Sequence, residues 1–231
     1  MFDSPNGRVL RSFLHTRWLA AKLRNRTDLN LHQQSQMKLW KAHVSESFPQ
    51  YDPNTLRMSK ASLMADFAAF NQERLTAEEV RRGLPSGYVH PDVACGMSTG
   101  TSGNRGLYVI TQAERYQWLG VILAKALPEV WRTRQRVAVI LPQNSALYQA
   151  GNQSRWLRVE FFDLRSGPEQ WVDELLQLNP TVLVAPPKIL SWLARNTDLD
   201  RLTPRRIFSA AETLDAPDRA EIEAAFGLRL G

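Results

Sequence analysis

Residues 97–106 read MSTGTSGNRG. Gly100, Gly103 and Gly106 alternate with the hydroxyl side chains of Ser98, Thr99, Thr101 and Ser102. That combination suits an anion. Glycine lets backbone N–H groups converge at positive φ, and short hydroxyls add donors without bulk. Two well-known phosphate loops are excluded by context. A Walker loop needs Gly-Lys-Ser/Thr opening a helix, whereas here Gly103 is followed by Asn104 and Arg105. A dinucleotide fingerprint needs its own glycine spacing at a helix start, whereas this stretch runs into the apolar Leu107–Ile110. Arg105 could supply the charge that lysine supplies elsewhere. Composition alone leaves two readings open, a phosphate loop and a plain surface turn.

The elements that must hold this stretch are legible in pattern. Val93–Met97 reads as a strand entering it and Leu107–Ile110 as a strand leaving it. Thr111 and Glu114 form a capping box that opens a helix over 112–127, and Thr76 with Glu79 forms another. Residues 1–91 are expected to be a mostly helical N-terminal region. There Leu63, Phe67 and Phe70 share one helix face. Leu10, Leu14 and Trp18 fall at i, i+4, i+8, as the core stripe of an amphipathic helix would. The Arg-rich stretch 8–26 that contains them bears a faint likeness to a mitochondrial presequence, which the ordinary core helix explains equally well.

Residues 92–231 are expected to be an α/β nucleotide-binding region carrying the loop at 98–106. Apolar runs at 137–141, 159–163, 181–185 and 206–210 alternate with helical windows near 145–154, 169–178, 187–196 and 216–226. The fold class is therefore α/β, a helical region followed by a mainly parallel sheet with helices on both faces. Phe226-Gly227 reads as a helix end and Leu228–Leu230 as the start of another strand. The chain is thus expected to be a truncated part of a larger N-terminal domain.

Ser98-Thr99-Gly100-Thr101-Ser102-Gly103 resembles, position by position, the signature loop of adenylate-forming enzymes, the acyl- and aryl-CoA synthetase superfamily. Asn104 takes the variable position. Arg105 departs from the common proline, and the common lysine is missing, as in the phenylacetate–CoA ligase and coenzyme F390 synthetase branch. Three further stretches agree in order and spacing. MSKASLMADFAAFN at 58–71 is similar to a segment that branch carries ahead of its loop. RVAVILPQNS at 136–145 looks like a superfamily strand. IFSAAETL at 207–214 resembles the segment lining the adenine site.

The resemblance implies ATP-dependent activation of a carboxylate, aromatic in that branch, as an acyl adenylate. Transfer to a thiol of coenzyme A or a carrier protein, or to a hydroxyl, would follow. ATP and Mg2+ would be cofactors. Ser98, Thr99, Gly100, Thr101, Ser102, Gly103, Asn104 and Arg105 would grip the phosphates, and Ala211 and Glu212 would lie beside the nucleotide. Asn144, Tyr148 and Gly151 are acyl-pocket candidates by location, although Tyr148 serves equally as a helix-packing residue. The family's Thr-Glu motif, ribose-binding Asp and catalytic lysine have no counterpart among the 231 residues. No catalytic residue or metal ligand is therefore assigned, and this chain alone is expected to be inactive.

The bulk numbers narrow the field. Hydrophobic residues make up 43 % of the chain, enough for a real core. One cysteine, Cys95, rules out a disulfide framework and fits a reducing, cytoplasmic setting. Cys95 reads as a small buried residue rather than a nucleophile. Lys60 could be a functional cation, though a solvated helix-surface lysine is the default. The net charge of +6 is spread along the chain without an aromatic-basic motif, so no nucleic-acid partner is expected. No apolar run approaches a membrane span and no signal peptide is evident, so no membrane partner is expected either. The rival to an enzyme is a truncated, non-catalytic module that binds a nucleotide or a partner and self-associates through an exposed sheet edge.

Overall fold

The computed structural model describes residues 4–49, 51–54, 59–98, 106–130, 132–141 and 157–231. The chain divides into two compact units, Met1–Ala126 and Leu127–Gly231.

The first unit opens with helices α1 (Pro5–Lys22) and α2 (Arg26–Ser47), followed by α3 (Lys60–Ala65) and α4 (Ala77–Gly83). Side chains at each N-cap accept a backbone N–H that the helix leaves unpaired: Ser4 from Gly7, Asn25 from Asp28, Ser59 from Ser62. The capping box at Thr76 and Glu79 is complete. The helix expected to carry Leu63, Phe67 and Phe70 stops at Ala65, and Phe67–Phe70 forms a separate 3-10 turn. Buried Asn71 holds that turn, donating to the Phe67 and Leu75 carbonyls and accepting from Leu75 N–H. Phe67 still reaches the core, while Phe70 stacks on Tyr51.

A three-stranded antiparallel sheet follows, β1 (Tyr88–His90), β2 (Val93–Met97) and β3 (Leu107–Thr111), in that order. Val93, Cys95 and Leu107 bury against Phe67, Leu75 and Val80. The capping box read at Thr111 and Glu114 is formed and starts α5 (Gln112–Ala126). Helix α1 packs along α5. The contact side of α1 is Val9 and Phe13, and Leu10, Leu14 and Trp18 lie outside, 37 %, 53 % and 54 % exposed. The core stripe expected from spacing is therefore the uncovered one. Gly120 explains the choice: a Cβ there would stand 2.4 Å from the Val9 carbonyl oxygen, so the backbones approach closely only along that line.

The second unit is built on a parallel sheet of order β5-β4-β6-β7: β4 (Gln135–Leu141), β5 (Leu157–Asp163), β6 (Val182–Ala185) and β7 (Arg206–Ser209). In register, Ala138, Leu183 and Ile207 form one row. Helices α6 (Pro168–Leu178), α7 (Pro187–Asn196) and α8 (Ala216–Phe226) flank the sheet. Their Trp171, Leu175, Leu190, Leu193 and Ile222 join Ala138, Ile140, Leu183 and Ile207 in one buried cluster. The connections from β5 to β6, from β6 to β7 and on to the Leu230 bridge all advance in one direction across the sheet, and the general preference for right-handed crossovers puts their helices on one face. Leu230 makes a single parallel bridge to Ile207, where Leu228–Leu230 reads as the start of a strand.

Candidate functional site

Strands β2 and β3 position the glycine-hydroxyl stretch. Their ladder ends at the pair Met97 and Leu107. Ser98 N–H donates to the Gly106 carbonyl at 2.8 Å, and Gly106 N–H donates back to Ser98 Oγ at 2.9 Å. These two bonds close the neck of the connection and fix where it leaves the sheet. Thr99, Gly100, Thr101, Ser102, Gly103, Asn104 and Arg105 lie outside the described residues.

Lys60, at the start of α3, reaches the same neck. Its Nζ donates to Ser98 Oγ at 3.3 Å. A Cβ on Gly106 would come within 2.8 Å of Lys60 Cε, so the glycine makes room for the lysine stem. Lys60 is half-buried, not the solvated surface lysine that position on a helix suggests by default. The stretch 98–106 itself contains no lysine, and Lys60 comes to its neck from 38 residues earlier in the chain.

The neighbouring side chains are structural. Cys95 is buried, its Sγ lies 3.7 Å from the Val80 carbonyl, and burial pushes its thiol up. A thiol held protonated is a poor nucleophile, as expected. The Tyr108 ring lies across Gly96, where any Cβ would strike it. Burial, followed by the nearby Cys95, raises the Tyr108 hydroxyl.

In the second unit, Ala211 and Glu212 follow the carboxyl end of β7 and both are exposed. Ala211 has φ 68°, a left-handed conformation that costs a non-glycine residue about 1–2 kcal/mol. Backbone strain persists where surroundings dictate it, often at ligand clamps. Just before it, Ser209 Oγ is buried and has no hydrogen-bond partner among the described residues. The strand order reverses between β4 and β6, and the crevice outside the carboxyl ends at such a switch point is where open α/β sheets bind ligands. Asn144, Tyr148 and Gly151 belong to the segment leaving β4 there, outside the described residues.

Among the described residues there is no group of three His, Cys, Asp or Glu that could hold a metal ion. No step is assigned to Mg2+.

No protein-family model matches the chain, and no curated protein matches it either. Solved structures do. A 2-hydroxyisobutyryl-CoA ligase in the post-adenylation state with R3-HIB-AMP superposes with TM-score 0.60 at 13 % identity, over 90 % of this chain and 48 % of that one. An open conformation of the ligase with 2-HIB-AMP and CoA gives 0.55 at 13 %, over 85 % and 47 %. The chain carries part of an adenylate-forming ligase fold. It spans about half the length of these structures, and at this identity the likeness is one of fold.

Proposed function

We propose that the chain forms the nucleotide-binding part of an AMP-forming ligase that activates a small carboxylate. The observation that carries this reading is the neck at Ser98 and Gly106 with Lys60 seated on it. It brings a cation to the two residues that flank the glycine-hydroxyl stretch in sequence, on a fold shared with CoA ligases. The ligands of those neighbours, an acyl-AMP and CoA, are of the class this reading requires.

In this reading a carboxylate oxygen attacks the α-phosphorus of ATP and pyrophosphate leaves. A thiol such as that of CoA then attacks the acyl carbon and AMP leaves. The protein's task in the first step is positioning and charge stabilisation. Thr99–Arg105 would cover the phosphates, with Lys60 supplying charge from the neck. Ala211 and Glu212 would border the adenine, and Asn144, Tyr148 and Gly151 the acid. The absence of lysine from the loop supports a reading within the phenylacetate–CoA ligase and F390 synthetase branch, with an aromatic acid as the substrate class.

Calorimetry and thermal shift with ATP and AMP test the reading. ATP should raise the melting temperature, since it binds only the folded state. Lys60→Ala should weaken ATP about tenfold, or ~1.4 kcal/mol, and AMP far less. No ATP binding to the unsubstituted chain sinks the reading. Equal losses for ATP and AMP remove Lys60 from the phosphate site.

A further inference from the structure

The exposed face of α1 has a second character besides being apolar. Residues 4–47 carry eight lysines and arginines against two acidic residues, an excess equal to the whole chain's +6. Helix α1 itself contains no acid. At 3.6 residues per turn, Leu10, Leu14 and Trp18 occupy an arc of about 80° and a length of about 12 Å. Exposed Arg17 borders one edge of that arc, and exposed Arg11 and Lys22 border the other. Lys22 Nζ sits 4.8 Å from the centre of the Trp18 ring, and the His15 ring stacks with it at a centroid distance of 5.9 Å. Beside the stripe lies a cleft of about 540 Å³ lined by Arg8, Arg11, Ser12, His15, Ala113 and Gln117, with no carboxylate among them.

We propose that this face of α1 docks on an anionic phospholipid surface, with Leu10, Leu14 and Trp18 entering the acyl boundary and the basic cleft receiving a headgroup phosphate. A narrow apolar strip edged by arginine and lysine, with tryptophan at one end, matches the way an amphipathic helix lies in the plane of a bilayer interface. The charge is complementary to anionic lipid and to nothing in α1 itself. A second copy would bring two basic rows together, which disfavours a dimer on this face. No described helix is long and apolar enough to cross a membrane, so the contact is one of lying on the surface. The expectation of no membrane partner rested on the lack of an apolar run, which says nothing of an exposed stripe. The proposal is independent of the ligase reading.

Co-sedimentation of the 231-residue chain with vesicles tests it. Phosphatidylcholine vesicles are compared with ones containing about 30 % phosphatidylglycerol, at low and high salt. At least tenfold more protein should bind the anionic vesicles, less at high salt, with a blue shift of tryptophan emission. Leu10→Ser with Leu14→Ser keeps the charge and should abolish binding. Arg11→Glu with Arg17→Glu should remove the preference for anionic lipid. All these side chains are exposed, so an unchanged melting temperature certifies each variant's fold. Equal binding to both vesicle types, or binding that survives both double substitutions, overturns the proposal. So does a dimer dissolved by the serine pair without vesicle binding, or capture by polyglutamate but not by vesicles.

Discussion

Helices α1 and α7 both carry apolar side chains at helical spacing, and the two stripes end in opposite places. In α7, Leu190 and Leu193 are fully buried against the parallel sheet. In α1, Leu10, Leu14 and Trp18 face outward, while Val9 and Phe13, one residue earlier in the helical phase, take the buried side. Periodicity states which residues share a face. Whether that face is covered depends on the partner. For α7 the partner is fixed by the crossover from β6 to β7, which leaves one surface against the sheet. For α1 it is α5, and the notch at Gly120 selects the line of contact.

The sharpest break of this comparison is a matched pair of truncations. Leu190→Ala should cost about 2–5 kcal/mol, the range for a fully buried leucine that leaves a cavity. Leu14→Ala should stay within about 0.5 kcal/mol, as exposed substitutions do. Urea unfolding of both variants reads the difference, and comparable losses would mean that α1 is covered after all. Gly120→Leu comes next. The added side chain meets Val9 and Ser12 backbone and Cβ atoms within 3 Å, and overpacking of this kind costs about 1–3 kcal/mol, partly offset by better helix propensity. Its damage should appear as faster hydrogen exchange in α1 and α5, with α7 amides unaffected. Uniform acceleration across both units would count against α5 as the determinant.

The same contrast explains what could be read in the sequence. Strands β2 to β7 fall within two residues of their apolar runs, and the clearest are β4 and β6, buried along most of their length and therefore written as near-continuous apolar stretches. The caps at Thr76 and Thr111 are local, four-residue devices, and local devices survive without tertiary knowledge. Lys60 at the loop neck is a different matter. It meets Ser98 across 38 positions of chain, and no periodicity or spacing encodes that distance. The uncovered face of α1 was hidden for the same reason, since Gly120 lies more than 100 residues away. Residues 99–105 and Asn144, Tyr148 and Gly151 fall outside the described chain, so their roles stand as proposals.

The smallest expected effect concerns the outer surfaces of the same two helices. On α7, Arg195 holds Glu221 of α8 in a bidentate pair, at 2.5 and 2.6 Å, and that hydrogen bonding keeps the Glu221 carboxyl below its ordinary range. Helix α1 carries basic side chains and no acidic residue within its own sequence. A depressed folded-state value means the stabilisation is fully present above the ordinary carboxylate range and is lost as pH falls through it. The pair is exposed and salt-screened, so the effect is slight. Glu221→Gln should therefore be slightly less stable than the parent chain near neutral pH. The gap should close on acidification below about pH 4 and narrow with added salt. Urea midpoints of both proteins across that range decide it. A gap that stays constant with pH would show that Glu221 acts by packing, leaving burial as the only thing that distinguishes α7 from α1.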